Sequence, residues 1–118
     1  MEARKVFVSL PMRGISLDEI SLRQHDLLKK FIELSNPEYS YELLDSIHED
    51  ELPEPGNPLW FLGRSIQTLG QADFVIFAKD WRKASGCRVE HLICELYHIP
   101  YIYETTEDPN DDDERDLR

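Results

Sequence analysis

Between Asp80 and Glu90 the chain reads Asp-Trp-Arg-Lys-Ala-Ser-Gly-Cys-Arg-Val-Glu, which sets two acids, a large aromatic and a Ser-Gly turn within eleven residues. The segment follows the apolar run Phe74-Val-Ile-Phe77 and precedes an amphipathic stretch that ends before Pro100. A strand, a short loop and a helix are therefore expected. In parallel α/β proteins such a loop, at the carboxyl end of a strand, carries ligand groups. Glu90 is expected in the first turn of the helix, where unsatisfied N–H groups favour an ionised carboxylate. An ionised glutamate beside a cleft is a candidate nucleophile or base, with Asp80 as a second acid in the same loop. Ordinary helix capping also places acids in first turns, so the segment alone leaves both readings open.

A second unusual loop, Ser9-Leu-Pro-Met-Arg-Gly14, stands just ahead of another helix start. Backbone N–H groups there, the helix dipole and the Arg13 fork suit a phosphate or other small anion. With one glycine and no suitably spaced lysine, it is neither a Walker loop nor a dinucleotide fingerprint. Pro11 and Gly14 would equally mark a plain tight turn.

The elements that must position these loops alternate along the chain. Lys5 to Leu10 reads as a buried strand. Ser16-Leu-Asp-Glu19 is a capping box, with Ile15 and Ile20 as a hydrophobic staple, and opens a helix reaching about Leu34. Tyr41 to Leu44 is a short second strand. Ser46 to Gly56 is acidic and proline-bearing, a long loop. Asn57 caps a helix with Pro58 at its first position and an inner face of Leu59, Leu62, Ile66 and Leu69. Phe74 to Phe77 and Pro100 to Tyr103 are the third and fourth strands. In the helix between them Val89, Leu92, Ile93 and Leu96 keep i, i+3, i+4, i+7 spacing and are expected to be the buried stripe. Glu90 then lies at the edge of that stripe beside Cys94 and Tyr97. This alternation predicts an α/β fold: a small three-layer doubly wound parallel sheet, flavodoxin- or Rossmann-like, with strand order 2-1-3-4. The order reverses between the first and third strands. A ligand crevice is expected there, flanked by the loops at 10–15 and 78–86.

Length and composition bound the rest. The 118 residues suit one domain, expected over 1–105, followed by an acidic tail at 106–118 whose run from Glu107 to Asp116 has no apolar residue. At 41% hydrophobic the chain can build a core, and no apolar run is long enough to span a membrane. A strand begins within four residues of the N-terminus, which leaves no room for a leader ahead of it. Cys87 and Cys94, two helical turns and roughly 10 Å apart, are beyond disulfide reach, in keeping with a reducing, cytoplasmic setting. Net charge is −11, which argues against a nucleic-acid polymer as partner. His91, Glu95 and His98 share a helix face, but without a further Cys or His cluster they do not argue for a metal, and no cofactor is expected. Cys87 reads as a small packed residue or a thiol lowered by the helix start. Trp81 reads as a core or lid aromatic, or a platform for stacking on a base.

Taken in order, Val6-Phe-Val-Ser-Leu-Pro-Met-Arg-Gly14, Gln71-Ala-Asp-Phe-Val-Ile-Phe77, Asp80-Trp81, Ser85-Gly-Cys-Arg-Val-Glu90 and the helix into Ile99-Pro100 resemble the nucleoside 2-deoxyribosyltransferase superfamily, in particular a small, often phage-encoded branch. The resemblance spans nearly all of residues 4–103. It implies that Glu90, four residues after Gly86, is a nucleophilic glutamate. It further implies that Ser9, Pro11, Met12, Arg13 and Gly14 form a phosphate-holding loop, with Trp81, Ser85 and Gly86 also at the substrate. The implied activity is cleavage or exchange of the N-glycosidic bond of a (deoxy)nucleoside or its 5′-monophosphate, with the alternative of a non-catalytic nucleotide-binding module. Relatives complete their sites across subunits, so a homo-oligomer is implied, with Leu59, Trp60 and Phe61 as a contact patch. Two positions depart from the pattern. Phe7 stands where active members carry a tyrosine bonded to the nucleophile, and Ser65 where they carry an aspartate that handles the base.

If the first loop holds a 5′-phosphate, Arg13→Ala should weaken monophosphate binding by about 1.5–3 kcal/mol and leave the unphosphorylated nucleoside almost unaffected. Calorimetry with both ligands checks this, and equal losses would assign Arg13 to the fold or the sugar.

Overall fold

The structure, a computed structural model, describes residues 3–12, 14–34, 39–44 and 58–104. Continuous apolar runs become strands and capped amphipathic runs become helices, in the order β1 (Ala3–Ser9), α1 (Leu17–Leu34), β2 (Ser40–Leu43), α2 (Pro58–Leu69), β3 (Phe74–Phe77), α3 (Ser85–Tyr97) and β4 (Tyr101–Tyr103). A short 3-10 turn at Trp81–Lys83 joins β3 to α3. All four strands are parallel, in the order β2-β1-β3-β4. The order predicted from sequence is therefore the observed one. The loop from Ser46 to Gly56, the Asn57 cap and the acidic tail lie outside the described residues.

The Ser16 half of the capping box forms. The Ser16 hydroxyl accepts the Glu19 N–H at 3.2 Å, and the Ser16 carbonyl accepts that of Ile20 at 3.0 Å. Gly14, at φ 79°, supplies the left-handed residue of the turn before it, a conformation that side chains with a Cβ rarely take. At its far end α3 stops on His98 in the left-handed conformation, with the N–H groups of His98 and Ile99 both returning to the Cys94 carbonyl.

Because side chains alternate across a strand, β1 and β3 each feed two cores. Val6, Val8, Leu10, Ile76 and Ala78 pack under α1 with Ile20, Leu27 and Leu28. Phe7, Val75 and Phe77 pack on the other face with Leu69, Trp81, Cys87 and Cys94. Ser9 follows Phe7 on that second face and is 1% exposed. In register, Ser9 sits beside Phe77, and its carbonyl accepts the Ala78 N–H at 2.9 Å, which joins the carboxyl ends of the two central strands.

The helices on that face correct the expected stripes. Of the α2 inner face, Leu69 is buried, Leu62 and Ile66 are half-buried, and Leu59 is 74% exposed. On α3 the buried residues are Cys87, Glu90 and Cys94. Val89, Leu92 and Leu96 instead face outward, and Ile93 lies at the boundary. The periodicity predicted the helix correctly but its phase wrongly. The sheet beneath α3 is already filled by Phe7, Phe77, Trp81 and Tyr101, so the small thiols fit against it and the leucines do not. Tyr97, expected beside Glu90, is 74% exposed.

Phe77 is fully buried and meets Trp81, His91 and Tyr101, whereas Ile102 on edge strand β4 is 38% exposed. Phe77→Ala should cost about 3–5 kcal/mol and Ile102→Ala about 1 kcal/mol or less, read as midpoint shifts in urea unfolding at constant slope.

Candidate functional site

Side chains from two distant parts of the chain meet where the strand order reverses. Ser9, the last residue of β1, donates its hydroxyl to Glu90 Oε1 at 2.6 Å, a bond buried across 81 positions of sequence. Cys87, one turn before Glu90 on α3, shares that hydroxyl through its thiol. The parallel sheet brings the carboxyl end of β1 beside that of β3, and the short connection after β3 delivers the start of α3 directly above Ser9.

Glu90 is not in the first helical turn. Helix α3 begins at Ser85, so the first turn carries Ser85, Gly86 and Cys87 and no acid. The free N–H groups expected to hold the charge belong to the turn before it. Glu90 is instead 6% exposed among apolar neighbours, and burial pushes its carboxyl up from 4.5 to about 7, with the Ser9 hydroxyl opposing part of the shift. The same burial sets the thiols. Cys87 rises to about 12 and Cys94 to about 11, in both cases first through burial, with the Glu90 charge adding to it. Cys87 is accordingly a packed thiol and not a thiolate nucleophile.

Asp80, in the connection between β3 and α3, is engaged. Its Oδ1 accepts Arg23 Nη2 at 3.2 Å, with both side chains about a third exposed. Arg23 comes from α1, on the opposite face of the sheet, and no sequence signal marked it. A lone arginine on the polar face of an amphipathic helix looks like any solvated residue. Its guanidinium and Asp80 both act on Cys87, so the pair lies within electrostatic reach of the buried cluster.

The remaining sequence-derived positions divide. Leu10 is buried, Pro11 and Met12 are half-buried beside it, and Gly14 is exposed. Arg13 lies outside the described residues. Ser85 is exposed and Gly86 half-buried in the first turn of α3. A Cβ at Gly86 would meet Leu62 Cδ1 at 3.7 Å, an ordinary contact, so packing does not demand glycine there. Trp81 is 7% exposed, stacks on His91 at 4.2 Å and lies parallel to Tyr103 at 6.0 Å. It takes the core role of the two read from sequence and presents no open face for a base. Phe7 is 1% exposed on the same face as Ser9, and Ser65 is half-buried on α2. The hydroxyl that meets the carboxyl thus comes from Ser9, two residues beyond Phe7.

Two neighbouring features stand apart from this cluster. His91 Nε2 pairs with the Tyr103 hydroxyl at 2.8 Å, and burial lowers the pKa of its imidazole, with Glu95 opposing. A shallow recess of about 350 Å³, lined by Cys94, Glu95, His98, Ile99, Pro100 and Tyr101, opens at the opposite end of α3 from Ser85. Among the described residues no three His, Cys, Asp or Glu side chains gather to hold a metal, and no helix is long and apolar enough to cross a membrane.

Compared with known proteins, the chain matches no family model, no curated protein and no solved structure.

A carboxyl raised from 4.5 to about 7 keeps its proton in the folded state where the unfolded chain has lost it. Stability from this group is complete below pH 4.5 and is lost as pH rises through 7, about 3 kcal/mol in all. Glu90→Gln should therefore gain on the wild type progressively between about pH 4.5 and 7 and keep a constant advantage above. Urea unfolding of both proteins across that range checks this, and a stability difference independent of pH would contradict it.

Proposed function

We propose that this chain binds a (deoxy)nucleoside or its 5′-monophosphate at the carboxyl ends of β1 and β3, and cleaves or exchanges its N-glycosidic bond through Glu90. The observation that carries the reading is the buried Glu90 carboxyl bonded to Ser9 at 2.6 Å where the sheet order reverses. A carboxyl so placed without a cationic partner weakens the fold, and titratable groups shifted by burial gather at functional sites. Its position four residues after Gly86 is that of the nucleophile in the resembled superfamily.

In this reading substrate displaces the Ser9 bond, and an oxygen of ionised Glu90 attacks the anomeric carbon. The C–O bond of a glycosyl ester forms as the C–N bond breaks. Its electron pair leaves with the base, which takes up a proton. Water or a second base then attacks the same carbon and releases the carboxylate, so configuration is retained over the two steps. Ser9 steadies the carboxylate that departs. Asp80 is engaged by Arg23, so the departing base draws its proton from solvent at the mouth, and turnover lacks the roughly 10²–10⁴-fold that a positioned acid supplies. Arg13, expected from the sequence to serve a phosphate, would supply the positive charge that a monophosphate needs.

A second reading is favoured by one observation. Phe7 is sealed in the core at 1% exposure, so the tyrosine hydroxyl of active relatives has no counterpart on that side chain. The chain would then hold a nucleotide-like ligand without turnover.

Incubation with a panel of nucleosides and 5′-monophosphates, followed by chromatography for free base, separates the two. The enzyme reading expects base release that rises with pH through about 7, as Glu90 ionises, and that Glu90→Gln abolishes. Saturable binding with no base released from any substrate would establish the binding module. Full release by Glu90→Gln would remove Glu90 from the chemistry.

A further inference from the structure

The surroundings of Glu90 constrain which bases can leave from a sugar held against it. Ser9 of β1 donates to its carboxyl at 2.6 Å, and Cys87 and Cys94 share its buried helix face. Burial and that one neutral hydroxyl govern its ionisation, and among the described residues no cation offsets its charge. Arg23 acts as far as Cys87, but its guanidinium is held by Asp80 Oδ1 at 3.2 Å. Ionised, Glu90 is a buried charge without a counter-charge, and it gains most from a ligand that brings a positive one. A second constraint is the proton. Breaking a glycosidic C–N bond sends the electron pair to the base, and a neutral base must take up a proton as it goes. Asp80 is the other carboxyl that acts on Cys87, and it is engaged as an acceptor by Arg23.

We propose that the site takes N-glycosides whose base is already cationic, an N7-alkylated purine or a pyridinium, in preference to neutral nucleosides. The inference rests on the glycosidic reading above and names its substrate class. For such a substrate the first step needs no acid. An oxygen of Glu90 forms a C–O bond to the anomeric carbon as the C–N bond breaks. The electron pair of the C–N bond cancels the positive charge on the ring nitrogen, and the base departs neutral with no proton moved. Water then attacks the anomeric carbon of the glycosyl ester and gives up one proton to solvent, which frees the sugar and restores the carboxylate. Throughout the first step a positive charge stands beside Glu90, on the base at the start and on the anomeric carbon as the bond breaks. The cation thus supplies the counter-charge that the protein leaves out. The net charge of −11 favours its approach as well.

Adenosine and 7-methyladenosine differ by one methyl group and one charge, and base release from the two by the full chain tests the proposal. Both are assayed as ribosides and 2′-deoxyribosides, with nicotinamide riboside as a second cation, and each rate is corrected for release without protein. The cations should show a kcat/KM higher by roughly 10²–10⁴-fold, the factor that a positioned acid would supply to the neutral base. Their kcat/KM should rise with pH through about 7 and then stay level, with no solvent deuterium isotope effect on the plateau. Glu90→Gln should abolish release. By calorimetry at pH 8 it should also weaken binding of 7-methyladenosine more than that of adenosine, because the buried counter-charge is gone. Equal kcat/KM for adenosine and 7-methyladenosine, or equal binding losses in Glu90→Gln, would overturn the substrate class and leave the glycosidic reading standing. No release from any of these substrates would remove the glycosidic reading and the substrate class with it.

Discussion

The hydrogen bond from Ser9 to Glu90 constrains more of this molecule than any other contact. It ties the end of β1 to the second turn of α3, across the one place where the strand order reverses. A one-residue slip of β1 would exchange its faces, bringing Val8 under Glu90 and driving Ser9 into the α1 core. The bond is therefore made only in the register that also buries Phe7 against Phe77 and Val75. Site and core specify each other.

The same contact explains the unusual thiols. Cys87 and Cys94 lie three residues before and four after Glu90, on the buried face of α3. They are small enough to let the carboxyl reach β1 and too weakly polar to solvate it. One neutral hydroxyl facing a carboxyl in such surroundings does not offset desolvation, which is why Glu90 rises to about 7 despite Ser9. Replacing the carboxyl with an apolar group of similar volume would relieve that cost. A fold indifferent to chemistry has no reason to keep a lone acid there, and this weighs toward function in reading the cluster.

Much of the architecture was legible because it depends on local pattern. Strands buried on both faces read as continuous apolar runs, Ser16 and Glu19 announce a helix start, and Pro58 begins another. Handedness and short connections then leave few topologies, and the 2-1-3-4 order follows. Less local facts were hidden. Arg23 meets Asp80 across 57 positions, and nothing on α1 distinguishes that arginine from its solvated neighbours. The phase of α3 misled because hydrophobicity was taken to mean inward. Leucines outrank cysteines on any such scale, but which face meets the sheet depends on the room left by Phe77, Trp81 and Tyr101. The first-turn placement of Glu90 failed for a related reason. Trp81 to Lys83 forms a 3-10 turn ahead of α3, and the helix begins at Ser85, early enough to carry Glu90 past its unsatisfied N–H groups.

The two faces of α3 are coupled through the rigidity of one helix. Its inward face carries a carboxyl that destabilises the fold when ionised, and its outward face carries apolar surface that stabilises only if covered. Any rotation of α3 that would release Glu90 into solvent must break the Ser9 bond and unpack Cys87 and Cys94. Burial of Val89, Leu92 and Leu96 opposes that rotation, because turning Glu90 outward must turn the stripe inward against a filled sheet. Covering the stripe would then hold the Glu90 carboxyl over Ser9 without a single added contact to it. That separates the two sides in chemistry while joining them in mechanics: the outward face bears on how firmly the carboxyl is presented, and burial, opposed in part by Ser9, sets how readily it ionises.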